Sequence, residues 1–329
     1  MSLQKTTSDT TPMAPRTDKL SRTVINHASV VPLKEREHLL PLDNFEYNRK
    51  GSEPGRVIIF NQEFGDDHVM IREGSRRDVN EIIMCFQRLG FNMSADDVLL
   101  DSTAKQITHK LKSVANDQES LEKINCLIIF FLTHGETNND LLVKQGTISC
   151  NDIWAEFLTC PTLMDKPKMF VFQACKGKKF ASIGESNFVK REPAQLLDMD
   201  NFSFTQLTND MLVLFSTIEG NQSYRHTVSG TWFIQELCKN FTMYGRRDDV
   251  ISLVTRTMKC ICGNYYHENE ISVFEKQMPI FVSTLTKKFY LNRNKDRHLL
   301  LEIRDKQDEM LELLKEIWEF VKQQKTSKK

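Results

Sequence analysis

Two apolar segments that end at reactive side chains constrain the fold more than any other feature of this chain. Residues 126–133 are almost entirely apolar and lead into His134, and residues 168–172 lead through two residues into Cys175. Short apolar runs of this kind indicate buried strands. Parallel strands deliver their carboxyl ends to one edge of a sheet, so we expect an imidazole and a thiol to lie together there. This pair can serve as proton shuttle and nucleophile.

Strand and helix patterns alternate through the rest of the chain. This alternation predicts an α/β fold with a mostly parallel sheet, helices on both faces and functional residues at the carboxyl ends of the strands. Thr103 is the expected N-cap of the second helix. In chain order the predicted elements are a strand at 56–61, a helix at 77–89, a strand near 91–93, a helix at 103–114, the strand at 126–133, a helix near 152–158, the strand at 168–172, a strand at 210–216, helices at 232–241 and 248–262, and a last strand at 279–285.

The balanced charge of the chain favours neither nucleic acid nor a membrane as its partner. Its 329 residues include 44 basic and 44 acidic side chains. The N-terminus lacks the apolar stretch of a secretory signal. The apolar runs have strand length, well below the roughly 20 residues that a membrane span requires.

The eight cysteines are scattered, and most lie in apolar segments. Such cysteines behave as small hydrophobic residues. Without a signal peptide, reduced thiols predict a cytoplasmic protein. Cys260 and Cys262 form a Cys-x-Cys pair without a second pair or a nearby His, so we expect no metal and no cofactor.

The sequence Gln-Ala-Cys-Lys-Gly at 173–177, with His-Gly upstream at 134–135, resembles the caspase family of cysteine proteases. The resemblance covers residues 45–291. It implies a caspase-like three-layer α/β fold, with large and small subunits produced from one chain.

By this resemblance Cys175 is the nucleophile and His134 the acid–base group. The backbone N–H groups of Gly135 and Cys175 would hold the developing oxyanion. Taken singly, Cys175 could be an inert buried thiol and His134 a hydrogen-bonded core residue. Their matching positions at two strand ends favour catalysis.

The resemblance also implies a pocket for an aspartate side chain at P1. Arg72 stands in the segment 71–79, which resembles the family pattern Arg-x-Gly-[Ser/Thr]-x-x-Asp, and Arg225 stands in a segment like the family's substrate loop. Two guanidinium groups suit a carboxylate. Gln173 is the expected third group of this pocket. The other expected groove residues are Ser223, Tyr224 and His226.

Several positions depart from the family pattern. Lys176 replaces the usual Arg, Gln or Gly and loses the planar fork of a guanidinium, which predicts weaker loop packing. Tyr224 stands where executioner caspases usually carry Trp, and His226 where they often carry Asn. Residues 263–276 are fewer than in the corresponding executioner loop. We therefore expect P1 Asp, without a preference for Asp at P4.

Four regions are expected along the chain. Residues 1–45 form a short disordered prodomain, 46–200 the large subunit, 201–291 the small subunit and 292–329 a C-terminal amphipathic extension. Cleavage of the zymogen is expected after Asp200, with Asp198 as the second choice. The apolar edge at 279–285 is expected to pair with a second copy, giving a homodimer of large/small pairs.

The C-terminal extension goes beyond the resemblance. Its apolar residues recur in steps of three and four, as in a coiled-coil seam. The segment could fold back on the protease domain, associate with itself or bind a partner helix; a membrane role is disfavoured by its acidic excess. The seam residues are Leu300, Ile303, Gln307, Met310, Leu314, Ile317 and Val321.

The predicted function is aspartate-specific proteolysis in apoptosis or a related cascade, from a zymogen that is cleaved autocatalytically. The alternative is a catalytically weak or inactive homologue that acts as a scaffold or decoy through its dimer edge and C-terminal helix. A cysteine hydrolase with another substrate would require both pocket arginines to be incidental.

Overall fold

A computed structural model describes residues 45–67, 70–135, 139–176, 181–182, 207–268 and 274–292, together with 306–307, 310–311, 313–315 and 317–318. Residues 1–44 of the expected prodomain and the expected processing sites Asp198 and Asp200 lie outside these residues. The strands are β1 Arg56–Asn61, β2 Val98–Leu100, β3 Leu127–Leu132, β4 Asp140–Leu142, β5 Thr147–Ser149, β6 Lys168–Gln173, β7 Ala181–Ser182, β8 Met211–Phe215, β9 Arg225–His226, β10 Gly230–Thr231, β11 His267–Glu268, β12 Phe274–Lys276 and β13 Ile280–Ser283.

The centre of the fold is a six-stranded sheet in the order β13-β8-β6-β3-β1-β2. All neighbouring strands are parallel except β13, which runs antiparallel to β8. The side chains of β3, β6 and β8 are buried throughout. Burial on both faces explains why these strands are continuous apolar runs rather than alternating ones.

Helices cover both faces of this sheet. They are α1 Ser75–Arg88, α2 Ala104–Asn116, α3 Gln118–Lys123, α4 Cys150–Ala155, α5 Trp232–Tyr244 and α6 Val250–Asn264. The helices α1, α5 and α6 pack on one face, and α2, α3 and α4 pack on the other. Thr103 caps α2 as predicted, in a capping box with Gln106. The three-layer α/β fold is thus confirmed.

The strand predicted near residues 91–93 is wrong. The strand of this region is β2, which begins at Val98. Phe91 instead closes the C-terminal end of α1: its N–H donates to the Phe86 carbonyl at 2.9 Å, and Gly90 before it has φ of 87°. The two aromatic rings meet edge to face with centroids 5.0 Å apart. An apolar residue after a helix end packs back on the helix in this way.

The residues described near the C-terminus are helical. The apolar side chains among them are exposed by 53–65%. Among the described residues, no helix combines the length and the apolar character that a membrane crossing demands.

Candidate active site

The ends of β3 and β6 bring His134 and Cys175 to one edge of the sheet. These strands are neighbours with Leu132 opposite Gln173, and the Thr133 N–H donates to the Gln173 carbonyl at 3.0 Å. His134 and Cys175 are each the second residue after the end of their strand.

Gly135 shows how closely the two chain segments approach. A Cβ atom at Gly135 would overlap the Cys175 carbonyl oxygen and lie 2.9 Å from the Ala174 Cβ. Because backbone meets backbone here, only glycine fits without a shift of the segments.

The imidazole of His134 is oriented by a backbone carbonyl. Its Nε2 lies 2.7 Å from the Met70 carbonyl oxygen. A carbonyl oxygen can only accept, so Nε2 carries the hydrogen and Nδ1 is the basic nitrogen. The ring also stacks on Phe64, with centroids 5.5 Å apart. These two contacts fix both the tautomer and the plane of the ring.

The pKa of His134 is lowered from its usual value, chiefly because the ring is buried and also because the guanidinium groups of Arg72 and Arg225 lie nearby. The hydrogen bond to the Met70 carbonyl opposes this shift. The imidazole is therefore neutral at neutral pH and can accept a proton.

The thiol of Cys175 lies against the loop that precedes β9. The Ser223 N–H points at Sγ from 3.5 Å. The backbone N–H groups of Gly135 and Cys175 donate to no partner among the residues that the structure describes. They are the donors that the resemblance assigns to the oxyanion.

Arg72 is a buried cation, with 2% of its surface exposed. Its Nη1 donates to Asn61 Oδ1 at 3.1 Å and to the Gln62 carbonyl at 2.8 Å. Its Nε is buried without a hydrogen-bond partner in the described part of the chain. Burial, reinforced by the positive charge of Arg225, lowers its pKa to about 9.

Arg225 lies in β9, the first strand of a short hairpin with β10. It is half-buried, and burial lowers its pKa against the favourable charges of Asp78 and Cys175. Among the described residues its guanidinium forms no hydrogen bond. Two cations near Cys175 thus retain donors that a carboxylate could occupy.

The hairpin that carries Arg225 is joined to the start of α1. Asp78 accepts hydrogen bonds from the Thr231 N–H at 2.9 Å and from Gln235 Nε2 at 2.8 Å. Gly74, with φ of 82°, lies so close that a Cβ there would approach the Thr227 carbonyl oxygen to 2.6 Å. The segment 72–78 thus contacts the hairpin through Gly74 and Asp78, in addition to carrying Arg72.

Gln173 is held beside Cys175 by a contact with the loop. Its Nε2 donates to Ser223 Oγ at 2.7 Å, and its buried Oε1 has no hydrogen-bond partner among the described residues. Arg72, Arg225, Gln173 and Ser223 therefore surround the same end of the sheet.

Comparisons with known proteins agree with this architecture. A caspase domain matches residues 54–290. The chain belongs to the caspase family. It is 30% identical to caspase-3 of Xenopus laevis, over 71% of this chain and 78% of that protein, and 27% identical to caspase-7 of Gallus gallus, over 75% and 80%. The crystal structure of caspase-1 from Spodoptera frugiperda superposes with a TM-score of 0.65 at 26% identity, covering 78% of this chain and 96% of that one. Membership places this caspase among the caspase-type cysteine proteases.

An aromatic wall lies beside the hairpin of Arg225 in this caspase. Tyr224 stacks on Trp232 with ring centroids 4.5 Å apart, and Trp232 continues to Tyr265 at 5.2 Å. Gln277 supports the wall by accepting from the Tyr224 N–H at 2.8 Å. His226 plays a local role, because its Nδ1 accepts from the Val228 N–H and thereby stabilises the hairpin turn.

Lys176 is better anchored in this caspase than its replacement of Arg suggested. Its Nζ donates to Asn139 Oδ1 at 2.5 Å, lies 3.3 Å from Glu219 Oε2 and sits 3.7 Å from the centre of the Phe215 ring. The backbone of Lys176 also forms hydrogen bonds with Asn221 and with the loop that precedes Asn221. Lys176 therefore ties the segment after Cys175 to two neighbouring loops, and the expected weakening of loop packing is not observed there.

Several residues of the site were missed by sequence reasoning. Met70 and Gln62 contribute only backbone carbonyls, which leave no side-chain signal in the sequence. Asn61 contributes its side-chain oxygen from the last position of β1, where a polar residue could equally mark the strand end. Phe64 could have been suspected as an aromatic residue just after a strand. Within the described ranges, no cluster of three or more His, Cys, Asp or Glu is arranged for a metal ion.

Proposed function

We propose that this caspase is an active endopeptidase that cleaves protein substrates after aspartate. The observation that carries the proposal is the pair of guanidinium groups, Arg72 and Arg225, which lie near Cys175 and form no salt bridge with any residue that the structure describes. A P1 carboxylate would supply the missing negative charge and accept from the unpartnered Nε of Arg72.

The residues divide the work of peptide hydrolysis. His134 Nδ1 accepts the proton of the Cys175 thiol, and the thiolate attacks the scissile carbonyl. The free N–H groups of Gly135 and Cys175 stabilise the oxyanion. The imidazolium then protonates the leaving amine, and water hydrolyses the acyl-enzyme with His134 again as base. Gln173 and Ser223 line the P1 pocket, while Tyr224 and His226 shape the groove beyond it.

Hydrolysis of a tetrapeptide library with P1 fixed as Asp, Asn, Glu or Arg tests this function. We expect cleavage only after Asp, and its loss in Cys175→Ala and Arg225→Ala. Arg77→Ala is the matched control, because Arg77 lies on the exposed surface of α1 and pairs with Glu81. Cleavage after Arg, or undiminished cleavage by Arg225→Ala, would contradict the proposed pocket.

The chain is made as a zymogen in this proposal. Cleavage after Asp200, with Asp198 as the second site, separates a large fragment that carries Cys175 from a small fragment that carries Arg225; residues 1–45 precede the large fragment. Intact-mass analysis of active protein checks this, and an uncut chain from 177 to 210 would rule it out. The role follows as cytoplasmic proteolysis in apoptosis or a related cascade, which the free thiols support.

The protease acts as a homodimer through β13. This strand lies at one end of the sheet, and Ile280, Phe281 and Val282 on it are only half-buried. Antiparallel pairing with the same strand of a second copy would cover them. Sedimentation of Phe281→Asp should show a monomer where the wild type is a dimer.

The C-terminal helix associates with the same helix of other copies. Its exposed apolar residues fill heptad positions a, d, e and g, a face wide enough for a bundle of more than two helices. In a parallel bundle, g–e′ pairing sets Lys306 against Leu311 and Leu313 against Trp318, so no like charges meet. The exposed residues are Met310, Leu311, Leu313, Leu314, Ile317 and Trp318.

Light scattering on the full chain tests this association. Leu314→Glu should reduce the assembly to the size that a chain truncated at Asn294 gives, whereas Lys315→Glu, on the polar side, should leave it unchanged. An unchanged mass in Leu314→Glu would overturn self-association. A stable complex with a foreign helix, at the expense of self-association, would favour a partner helix.

The second candidate function is a non-catalytic scaffold or decoy. The wide exposed apolar face near the C-terminus favours it. A cleaved and dimeric wild type that hydrolyses no peptide of the library would select this function over proteolysis.

A further inference from the structure

Gln277, between β12 and β13, is a polar residue with no exposed surface. Its carboxamide forms a hydrogen bond at each end. Oε1 accepts from the Tyr224 N–H at 2.8 Å, and Nε2 donates to the Ser216 carbonyl at 2.8 Å. Both partners are backbone groups, so a buried carboxamide fixes the position of one chain segment relative to another.

The two partners of Gln277 are the ends of one loop. Ser216 directly follows β8, Tyr224 directly precedes β9, and residues 217–223 lie between them. Gln277 belongs to neither of these strands. It therefore bridges the base of the loop from a separate segment of the chain.

The Ser216 end of the loop is joined to the residue before the proposed nucleophile. Ser216 Oγ accepts from the Ala174 N–H at 3.3 Å and donates to the Ala174 carbonyl at 3.1 Å. The Ser216 N–H donates to the Phe172 carbonyl at 2.9 Å, which continues the pairing of β6 with β8. Ser216 is thus fixed to the segment that carries Cys175 and gives Gln277 a firm anchor.

The Tyr224 end of the loop carries two residues of the proposed pocket, one on each side. Before Tyr224, the Ser223 N–H points at Cys175 Sγ from 3.5 Å, and Ser223 Oγ accepts from Gln173 at 2.7 Å. After Tyr224 comes Arg225. A shift of the Tyr224 backbone would therefore move both neighbours relative to Cys175.

Gln277 is itself held against the end of α6. Its carbonyl oxygen lies 3.9 Å from Cys262 Sγ, and Nζ of the neighbouring Lys276 donates to the Cys262 carbonyl at 2.8 Å. On its other side the chain continues through Met278 into β13. The position of Gln277 is thus set by α6 and β13, and not by the loop that it bridges.

We propose that Gln277 is a positioning residue of the P1 pocket. Its carboxamide fixes the Tyr224 backbone relative to Ser216. The fixed backbone in turn places Arg225 where it can reach the side chain of a P1 aspartate bound beside Cys175. This inference rests on the proposed cleavage after aspartate. It assigns Gln277 to substrate binding and not to the chemical step.

Gln277→Met tests the role, because methionine is similarly long and flexible but can replace neither hydrogen bond. We expect kcat/KM on P1 Asp peptides to fall about 30-fold, mostly through KM, because a buried N–H and a buried carbonyl lose their partner. The rate at which iodoacetamide alkylates Cys175 should stay unchanged, because that reaction does not use the pocket. Met278→Leu is the matched control, since Met278 is the exposed neighbour in the same segment.

Gln277→Glu distinguishes positioning from a general structural role. A protonated carboxyl can form the same two hydrogen bonds, by donating to the Ser216 carbonyl and accepting from the Tyr224 N–H, whereas a carboxylate can only accept. Burial favours the protonated form. The kcat/KM of Gln277→Glu, divided by that of the wild type at the same pH, should therefore be near one at about pH 6 and fall about 10-fold by about pH 9.

Division by the wild-type value removes the titration of groups that both proteins share. The shared groups at the site and next to Gln277 are His134, Cys175, Cys262 and Lys276. Gln277→Met should be impaired to the same degree at every pH. A ratio for Gln277→Glu that does not change with pH would overturn the proposal, and this variant decides the question where Gln277→Met fails to fold.

Hydrogen exchange gives a readout that needs no cleavage. The Tyr224 N–H should be protected in the wild type and exchange faster in Gln277→Met, while β6 and β8 keep their protection. Faster exchange in β6 and β8 as well would overturn the positioning role, because Gln277 would then serve the stability of the whole fold. Unchanged exchange and unchanged KM would overturn it too. A wild type that cleaves no peptide contradicts the proposed function, whereas the exchange rates still decide whether Gln277 holds the loop.

Discussion

The two arginines of the proposed P1 pocket are held in opposite ways. Arg72 is buried and fixed by Asn61 and the Gln62 carbonyl. Arg225 is half-buried on a strand of two residues, and the described residues offer its guanidinium no hydrogen bond. One half of the pocket is thus built before substrate arrives, and the other can adjust to it.

The difference has an energetic side. Each unit by which folding lowers the pKa of a cation destabilises the charged form of the folded protein by about 1.4 kcal/mol. Burial lowers the pKa of Arg72 from 12.5 to about 9. A buried cation of this kind destabilises the fold at neutral pH. In the proposed function, the same charge binds the carboxylate of the substrate.

The largest expected effect comes from removing the buried charge. Arg72→Met should reduce kcat/KM on P1 Asp peptides by about 10³-fold, because a desolvated partner of the carboxylate is lost. Its melting temperature should stay level or rise, because an unpaired buried charge is removed. Steady-state kinetics and calorimetry check both parts. If Arg225→Met, the matched variant, raises the melting temperature as much as Arg72→Met does, the proposed difference between the two arginines is contradicted.

Exchange for lysine should separate the two arginines more finely. Arg72→Lys loses the fixed planar contacts, and we expect kcat/KM to fall about 100-fold. Arg225→Lys keeps a charge in an adjustable position, and we expect a loss of about 10-fold, mostly in KM. Equal losses in the two variants would show that the arginines are held alike.

The joint between the pocket halves is tested at Gly74. Gly74→Ala places a Cβ against the backbone of residues 226–227 and forces a positive φ on alanine. We expect the melting temperature to fall by about 3–8 °C and kcat/KM to fall about 10-fold. Gly263→Ala is the control, since its Cβ would meet nothing within 4 Å. If both variants melt alike, the proposed joint is refuted.

The smallest expected effect is a shift in the pH dependence of activity. Since the pKa of His134 lies below 6.5, its neutral form persists as pH falls through the ordinary range, and the acid limb of kcat/KM should lie below pH 6.5. Bound carboxylate offsets the two guanidinium charges, so the acid limb of kcat should lie higher. NMR titration of the His134 ring should show its pKa rise in Arg225→Ala, with Arg77→Ala unchanged; a fall would contradict the assignment of the charges.

The residues that sequence reasoning found are those whose side chains would carry the proposed chemistry. Cys175, His134, Arg72 and Arg225 stand in recognisable patterns, and the structure brings all four to one end of the sheet. The strands were predictable because burial on both faces leaves continuous apolar runs.

What could not be predicted depends on contacts between distant segments. The Met70 carbonyl orients His134. Because every residue type has a backbone carbonyl, the sequence gives no sign of this contact. Phe91 was taken for part of a strand because an apolar residue at a helix end looks the same as one that begins a strand. The surroundings of Lys176 could not be foreseen, since Asn139, Glu219 and Phe215 come from three separate segments.

The pairing of β6 with β8 determines the effect of cleaving the chain between these two strands. Both strands are buried along their length and register from Lys168 opposite Met211 to Phe172 opposite Phe215. Cleavage of a peptide bond in the segment between the two strands leaves their pairing intact. The two fragments would therefore stay associated on dilution. Cleavage would then be an irreversible change in a molecule whose fragments stay together. Only degradation and new synthesis of the protein would restore the uncut form.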